Sequence, residues 1–417
     1  VRAHSFYLGL LLVAAALAGC GGGSGAGPSP IASLLQTATP TARPTPSATP
    51  NPNPTFTALP APTGSPLALA SIALNGGEQN VIPPVTSGTQ YIPDVQTSFL
   101  RLANGTFDMW VSAGGTNGSY LYQTPDLLSL GMPTTVFLPA GAGTTAFDAD
   151  YAGSANVFPA VNGTDLLMIY HGENHLFGGV DYPGTPFYAT VGLARSHDGG
   201  FTWQRQGAII SGADPQQSTQ SPTGAGALTP SAIEVGGYIY VVYREIDIQS
   251  NVSGFAIARA PIAGDGAPGT WSKRYAGTFG TPGLGGAFTP LGIVLDPSAP
   301  QDQRQPNVSF NSYLNSFLMT AVGNGGIYFL TSPDLLTWSA GTVAIPAPEP
   351  DLMAGGSNGP RNWNPTIMSP NQSSQQLSAQ TGYVYYAKFL GGNTANHTMY
   401  RQAFTLTAGA NPQAKVR

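Results

Sequence analysis

The stretch Ser196-His197-Asp198-Gly199-Gly200-Phe201-Thr202-Trp203 constrains this chain more than any other. Its Ser and Asp side chains suit hydrogen bonding to the backbone of a tight turn. Gly199 and Gly200 take positive φ without a Cβ clash, and Trp203 starts the next strand and anchors the hairpin between neighbouring sheets. A second copy reads Thr331-Ser332-Pro333-Asp334-Leu335-Leu336-Thr337-Trp338, and a degenerate one reads Thr124-Pro125-Asp126-Leu127-Leu128-Ser129. The three aspartates lie about seventy residues apart, or about twice that across one intervening unit. The missing hairpin falls between Ala258-Arg259-Ala260 and Gly269-Thr270-Trp271, which keeps the Thr-Trp ending behind a Gly/Pro-rich insertion.

Between these hairpins a second pattern repeats. Phe99–Leu102 and Phe107–Val111 flank Asn104-Gly105; Val157–Val161 and Leu166–Tyr170 flank Asn162-Gly163; Ala232–Val235 and Tyr238–Tyr243 flank Gly236-Gly237. Val308–Phe310 with Phe317–Val322, and Thr366–Ser369 with Tyr383–Phe389, complete the set. Asn-Gly or Gly-Gly between alternating apolar runs signals a hairpin. The Ser196–Trp203 stretch resembles the Asp-box of sialidases and related β-propellers, and Ser-Pro-Asp-Leu-x-x-Trp resembles the outer hairpin of five-bladed glycosidase propellers. The expectation is an all-β fold: a five-bladed β-propeller of four-stranded antiparallel blades. Six blades would be crowded. A sandwich or a parallel β-helix leaves the aspartate turns at blade spacing unexplained. The segment Leu67–Leu74 is expected to supply or cover the outer strand of the last blade.

The first residues read as targeting sequence rather than fold. Arg2 and His4 precede an apolar run from Phe6 to Ala18 that is short for a membrane span and ends in small residues. Leu17-Ala18-Gly19-Cys20 resembles a bacterial lipobox, which implies cleavage before Cys20 and lipidation of its sulfur. Cys20 is the only cysteine, so a disulfide framework and a cysteine metal site are excluded. Residues 21–66 are Gly-, Pro-, Thr- and Ser-rich with few large apolar side chains, the composition of a disordered tether. Residues 67–417 then form one repeat-built propeller domain, held at the cell envelope outside the cytoplasm by the lipid. A formal net charge of −5 gives no basic patch for nucleic acid, and a monomer is expected.

In a propeller the first strand of each blade lines the channel, and its starting end shares a face with the loop after the second strand. This near face collects Asp94, Asp148, Asp150, Glu173 and Glu245, with Arg361, Asn362, Trp363 and Asn364 at the start of blade five. Asp126, Asp198 and Asp334 go to the far face with turn-building roles, and Asp108, Asp165 and Glu234 are expected to be solvated. Converging acids suit glycoside hydrolysis, where one carboxylic acid protonates the leaving oxygen and another activates water or attacks the sugar. The chain is similar to glycoside hydrolase family 43 and its relatives, in repeat pattern over most of residues 90 to 407. There an Asp entering blade one acts as general base, and Asp94 matches that position. The family's second Asp and its acid Glu find Ser154-Ala155-Asn156 and Thr229-Pro230-Ser231 here, so Glu173 and Glu245, or the Asp148/Asp150 pair, must substitute.

The candidate catalytic residues are therefore Asp94, Glu173 and Glu245. Asp148, Asp150, His171, Tyr182, Arg244, Arg361 and Trp363 are candidates for binding a carbohydrate, with Tyr182, Phe187, Tyr188 and Trp363 as stacking surfaces. Arg101, Arg244 and Arg361 could instead bind the carboxylate of a sialidase substrate, although Tyr91-Ile92-Pro93 stands where sialidases have Arg-Ile-Pro. A zinc site at His171 and His175 is disfavoured, because the order His-x-Glu-x-His in a loop lacks the helical spacing such a motif needs. No cofactor is expected, and a calcium ion in the channel has no identifiable ligand set. The second function class is a non-catalytic propeller that binds carbohydrate or protein through the same cleft.

Overall fold

The computed structural model describes residues 59, 65–82, 92–114, 118–141, 144–175, 187–216, 224–300, 302–348, 361–389 and 397–409. The apolar N-terminal run, Cys20 and nearly all of the Pro/Thr-rich stretch lie outside them. Two compact units divide the chain, Val1–Ser47 and Ala48–Arg417, and the second holds every described residue.

Five blades follow one another along the chain. Blade one is β2 (Ser98–Arg101), β3 (Phe107–Ala113), β4 (Gly118–Thr124) and β5 (Thr134–Phe137). Blade two is β6 (Tyr151–Pro159), β7 (Leu166–His175), β8 (Phe187–Ser196) and β9 (Gln204–Ser211). Blade three is β10 (Ala225–Val235), β11 (Tyr238–Asp247), β12 (Val252–Pro261) and β13 (Ser272–Tyr275), extended by β14 (Thr278–Pro282). Blade four is β15 (Arg304–Asn311), β16 (Ser316–Gly323), β17 (Gly326–Ser332) and β18 (Thr342–Pro346). Blade five is β19 (Arg361–Met368), β21 (Thr381–Phe389) and β22 (His397–Ala408), with the two-residue β20 (Leu377–Ser378) pairing β15 in parallel. Its outermost strand is β1 (Leu69–Ile82), which pairs antiparallel with β22 and so joins the start of the domain to its end.

Each junction between neighbouring blades encloses its own apolar core. Strand alternation explains why the second strands read as nearly continuous apolar runs. In β7, Leu167 and Ile169 face blade three while Leu166, Met168 and Tyr170 face blade one. In β16, Phe317 and Met319 face blade three while Leu318 and Val322 face blade five. Side chains buried on both faces in this way cost roughly 2–5 kcal/mol each when truncated to Ala.

The inner strands close the ring through hydrogen bonds that step from blade to blade. Val157 N–H donates to Ser98 Oγ, Asn156 Nδ2 to the Pro230 carbonyl, Val308 N–H to Ser231 Oγ, Ile367 N–H to Asn307 Oδ1, and Thr97 N–H to Thr366 Oγ1. Thr229, Gln305 and Asn364 occupy positive φ (46°, 55° and 53°), and each is followed by a proline at a register shift. A proline cannot donate to a ladder, so a bulge accommodates it. These bulges bend the near-face ends of three inner strands.

The three aspartate turns lie on the far face and carry the bonds their sequence implies. Asp198 accepts from Phe201 N–H, Thr202 N–H and Thr202 Oγ, and Trp203 Nε1 donates to the Gly200 carbonyl at 3.0 Å. Asp334 accepts from Leu336 N–H and Thr337 N–H, with Trp338 Nε1 on the Leu335 carbonyl. Asp126 repeats the pattern with Leu128 and Ser129, and backbone donors hold its carboxyl at a pKa of about 2.

The expectation that three acids are solvated needs correction. Asp108 and Glu234 are buried rather than solvated, and burial pushes their carboxyls up to about 6 and about 8. Asp165 is also buried, held by Arg195 and His197. Leu59, within the stretch read as a tether, forms an isolated bridge with Val235 of β10.

Candidate functional site

The near-face end of β7 carries the densest chemistry. Residues two apart on a strand share a face, so His171, Glu173 and His175 project together toward blade three. The sequence suggests a loop here, whereas the strand runs through His175. His171 Nε2 lies 2.7 Å from Glu173 Oε1 and His175 Nε2 lies 3.0 Å from Glu173 Oε2. Burial pushes the Glu173 carboxyl up, but the two imidazoles outweigh it and hold the pKa at about 2. Glu173 is therefore a standing carboxylate, with 14% of its side-chain surface open.

The surroundings fix the imidazoles. Thr229 N–H donates to His171 Nδ1 at 3.2 Å, so the neutral ring carries its proton on Nε2, a tautomer assigned from its partners. Tyr151 packs edge-on against His171, and Phe187 stacks on His175 with centroids 5.4 Å apart. Asp150 Oδ2 accepts the His175 backbone N–H at 2.6 Å, while its Oδ1 is buried with no hydrogen-bond partner among the described residues. Asp150 and Glu173 thus gather around one histidine.

Thr229 also connects this cluster to blade one. Its carbonyl accepts from Gln96 Nε2 at 3.4 Å, and the same amide reaches the Pro306 carbonyl at 2.6 Å. Gln96 therefore bridges blades one, three and four across the channel, two residues after the half-buried Asp94. Asp94 is pinned by its backbone N–H on the Ser112 carbonyl, and the preceding Pro93 carbonyl accepts from Asn364 Nδ2 of blade five.

Other candidates occupy structural places. Glu245 is fully buried: Lys273 Nζ sits 2.8 Å and 2.9 Å from its two oxygens, and Tyr243 and Ala213 N–H complete the set. Burial pushes the Glu245 carboxyl up and the Lys273 ammonium down, each countered by the other's charge. No face of Glu245 is left for a sugar. Asp148 is buried beneath Arg205 at 2.6 Å and Tyr170 at 3.0 Å. Tyr188 is buried with its hydroxyl on the Asp214 carbonyl, so it does not stack on a ligand. Trp363 is half-buried edge-on against Phe389. Arg361 heads β19, and Tyr182 lies outside the described residues.

Sequence reasoning missed one acidic pair on this face. Asp214, after β9, and Asp247, at the end of β11, share a hydrogen bond; burial and Asp247 push the Asp214 carboxyl up, while Asp247 moves down. Among the described residues no group of three or more His, Cys, Asp or Glu is arranged to hold a metal ion. The buried oxygens Gln96 Oε1, Asn156 Oδ1 and Asn364 Oδ1 face no donor among the described residues, and such acceptors suit water.

Comparison with known proteins yields likeness of fold. No protein-family model matches the chain, and no curated protein matches it. Among solved structures, a family 117 glycoside hydrolase from Zobellia galactanivorans is similar at 10% identity with a TM-score of 0.52, over 79% of this chain and 89% of that one. An α-L-arabinofuranosidase from Lactobacillus brevis is similar at 13% identity and TM-score 0.49, over 77% and 94%. The catalytic domain of a family 62 α-L-arabinofuranosidase from Coprinopsis cinerea is similar at 10% identity and TM-score 0.47, over 83% and 99%. The five-bladed propeller is thus similar in fold to the family 117 glycoside hydrolase.

Proposed function

We propose that this chain is a carbohydrate-active propeller of the glycoside hydrolase type, working on an oligo- or polysaccharide at the near mouth of the channel. The observation that carries the reading is Glu173, held ionised between His171 and His175. A carboxylate of pKa about 2 is unsuited to donating a proton. It suits attack on the anomeric carbon, activation of water, or stabilisation of an oxocarbenium-like transition state. Proton donation then falls to Asp94, with Asp150 holding the His175 backbone. This exchanges the role that resemblance to family 43 implies for Asp94. Likeness to propeller hydrolases supports the reading at the level of fold.

Hydrolysis of arabinan, xylan and aryl glycosides by the wild type, Asp94→Asn and Glu173→Gln tests it. Loss of about 10²–10⁴-fold in kcat for both variants, with unchanged unfolding curves, is the expected result. Turnover that survives Glu173→Gln would sink the assignment.

A second reading, binding without turnover, draws on the burial of Glu245 against Lys273, which leaves that acid no open face. It predicts sugar binding by calorimetry and no released reducing sugar. In either case the proposal includes an extracytoplasmic, lipid-anchored protein whose aspartate turns are Asp-boxes. Incorporation of an alkynyl fatty acid by the wild type, but not by Cys20→Ser, tests the anchor.

A further inference from the structure

On β11 the side chains alternate between the two neighbouring blades. Ile239, Val241 and Tyr243 pack toward blade two, and Glu245 follows them to meet Lys273. Arg244 therefore faces the other way, with Val242, toward blade four. There it feels the charge of Arg304, the first residue of the inner strand β15. Arg304 is itself buried and clamps Asp302 in bidentate fashion, with contacts of 2.5 Å and 2.7 Å.

Asp302, which Arg304 clamps, also acts on the Arg244 charge. Among the described residues, Arg244 Nε is buried without a hydrogen-bond partner and no carboxylate forms an ion pair with Arg244. Burial and the Arg304 charge together depress the Arg244 guanidinium to about 10, with Asp302 opposing them. A cation compensated only in part, in a half-buried place, is costly to a fold. The same place is well set for an anion, because low-dielectric walls strengthen the pairing and a guanidinium offers a fork matched to carboxylate or sulfate oxygens.

The location is the near-face end of blade three, across its sheet from the Glu173 cluster. Arg244 pairs across the sheet with Leu228, next to Thr229, which bonds both His171 and Gln96. Arg304 precedes Gln305 and Pro306, whose carbonyl holds Gln96 from the other side. Both arginines therefore flank the bulges at the near mouth of the channel.

We propose that the site takes an anionic sugar, a uronate or a sulfated residue, with its charge received by Arg244 beside Arg304. The inference rests on the carbohydrate reading above and narrows its substrate class. Arg244 is a binding and specificity residue, placed away from Glu173 on the blade-four side.

Calorimetry on the full chain tests it with two matched pairs: trigalacturonate against its methyl ester, and a sulfated galactan oligosaccharide against its desulfated form. One charged member should bind about tenfold or more tightly than its neutral partner, and which pair does so distinguishes carboxylate from sulfate. The preference should vanish in Arg244→Gln, persist in part in Arg244→Lys, and weaken as sodium chloride rises, because it is charge-borne. Thermal unfolding of both variants shows that they are folded. Equal affinity within both pairs, a preference untouched by Arg244→Gln, or no binding of any of the four sugars overturns the inference. Hydrolysis of neutral arabinan or xylan with no acidic preference would overturn it and leave the hydrolase reading standing. Charge-dependent binding without any turnover would do the reverse.

Discussion

His171 Nε2 stands 2.7 Å from Glu173 Oε1 while Nδ1 of the same ring accepts the Thr229 N–H at 3.2 Å, so one imidazole couples a blade-two carboxylate to the bulge of blade three. The arrangement has a measurable acid limb. The Glu173 carboxyl lies at about 2 in the fold against an ordinary 4.5. Its ionised form therefore stabilises the fold above about pH 4.5, and that contribution is lost as pH falls toward 2. Between pH 5 and pH 3 the wild type should lose about 2 kcal/mol more stability than Glu173→Gln. Urea midpoints across that range check it, and parallel curves for the two proteins would contradict it.

Glu245 and Lys273 make a different kind of pair, closed on all sides. Removing one partner of a buried ion pair leaves the other uncompensated, at about 3–5 kcal/mol. Lys273→Met should destabilise by that order. The double variant Glu245→Gln/Lys273→Met should recover most of the loss, because neither charge then remains. Double-mutant unfolding experiments measure the coupling; additive losses would mean that the pair does not act as a unit.

The turns and the paired strands were legible because local chemistry dictates them. Asn104-Gly105, Asn162-Gly163 and Gly236-Gly237 all turn hairpins as their residue types require. The aspartate turns accept the backbone donors their spacing offers. The site was less legible because its contacts are made between blades. Lys273 comes from the strand beyond the Gly/Pro-rich insertion, and nothing local to Glu245 announces it. The bulges at Thr229, Gln305 and Asn364 do have a local signal, a polar residue before proline at the head of three inner strands. The alternation His171, Glu173, His175 was equally available. Extending the strand through it would have set the three on one face.

Glu234 carries the opposite pH dependence from Glu173. Burial, with the nearby Asp265 charge adding to it, raises its carboxyl from 4.5 to about 8. The fold favours the neutral form, so stability present below about pH 4.5 is lost as pH rises toward 8. Between pH 5 and pH 7 this amounts to about 2–3 kcal/mol. Glu234→Gln should remove that slope and stabilise the protein at pH 7, read again from urea midpoints. A variant no more stable than the wild type at pH 7 would mean that Glu234 is ionised without penalty.

The last prediction concerns closure of the ring. β1 pairs with β22 from Leu69 opposite Ala408 to Ile82 opposite Met399. Side chains reinforce the ladder: Asn80 Nδ2 donates to Thr398 Oγ, and Glu78 receives both the Tyr386 hydroxyl and the Lys388 ammonium. Val81 and Ile82 enter the core between blades five and one. Without β1, the edge of β22 and part of that core would be open to other chains. A chain cut before Pro66 keeps the Leu67 N–H on the Leu314 carbonyl and should fold as the wild type does. A chain cut after Ile82 should lose its cooperative thermal transition and run as aggregate in size exclusion. A folded, monodisperse product from the second cut would show that the five blades close without their N-terminal strand.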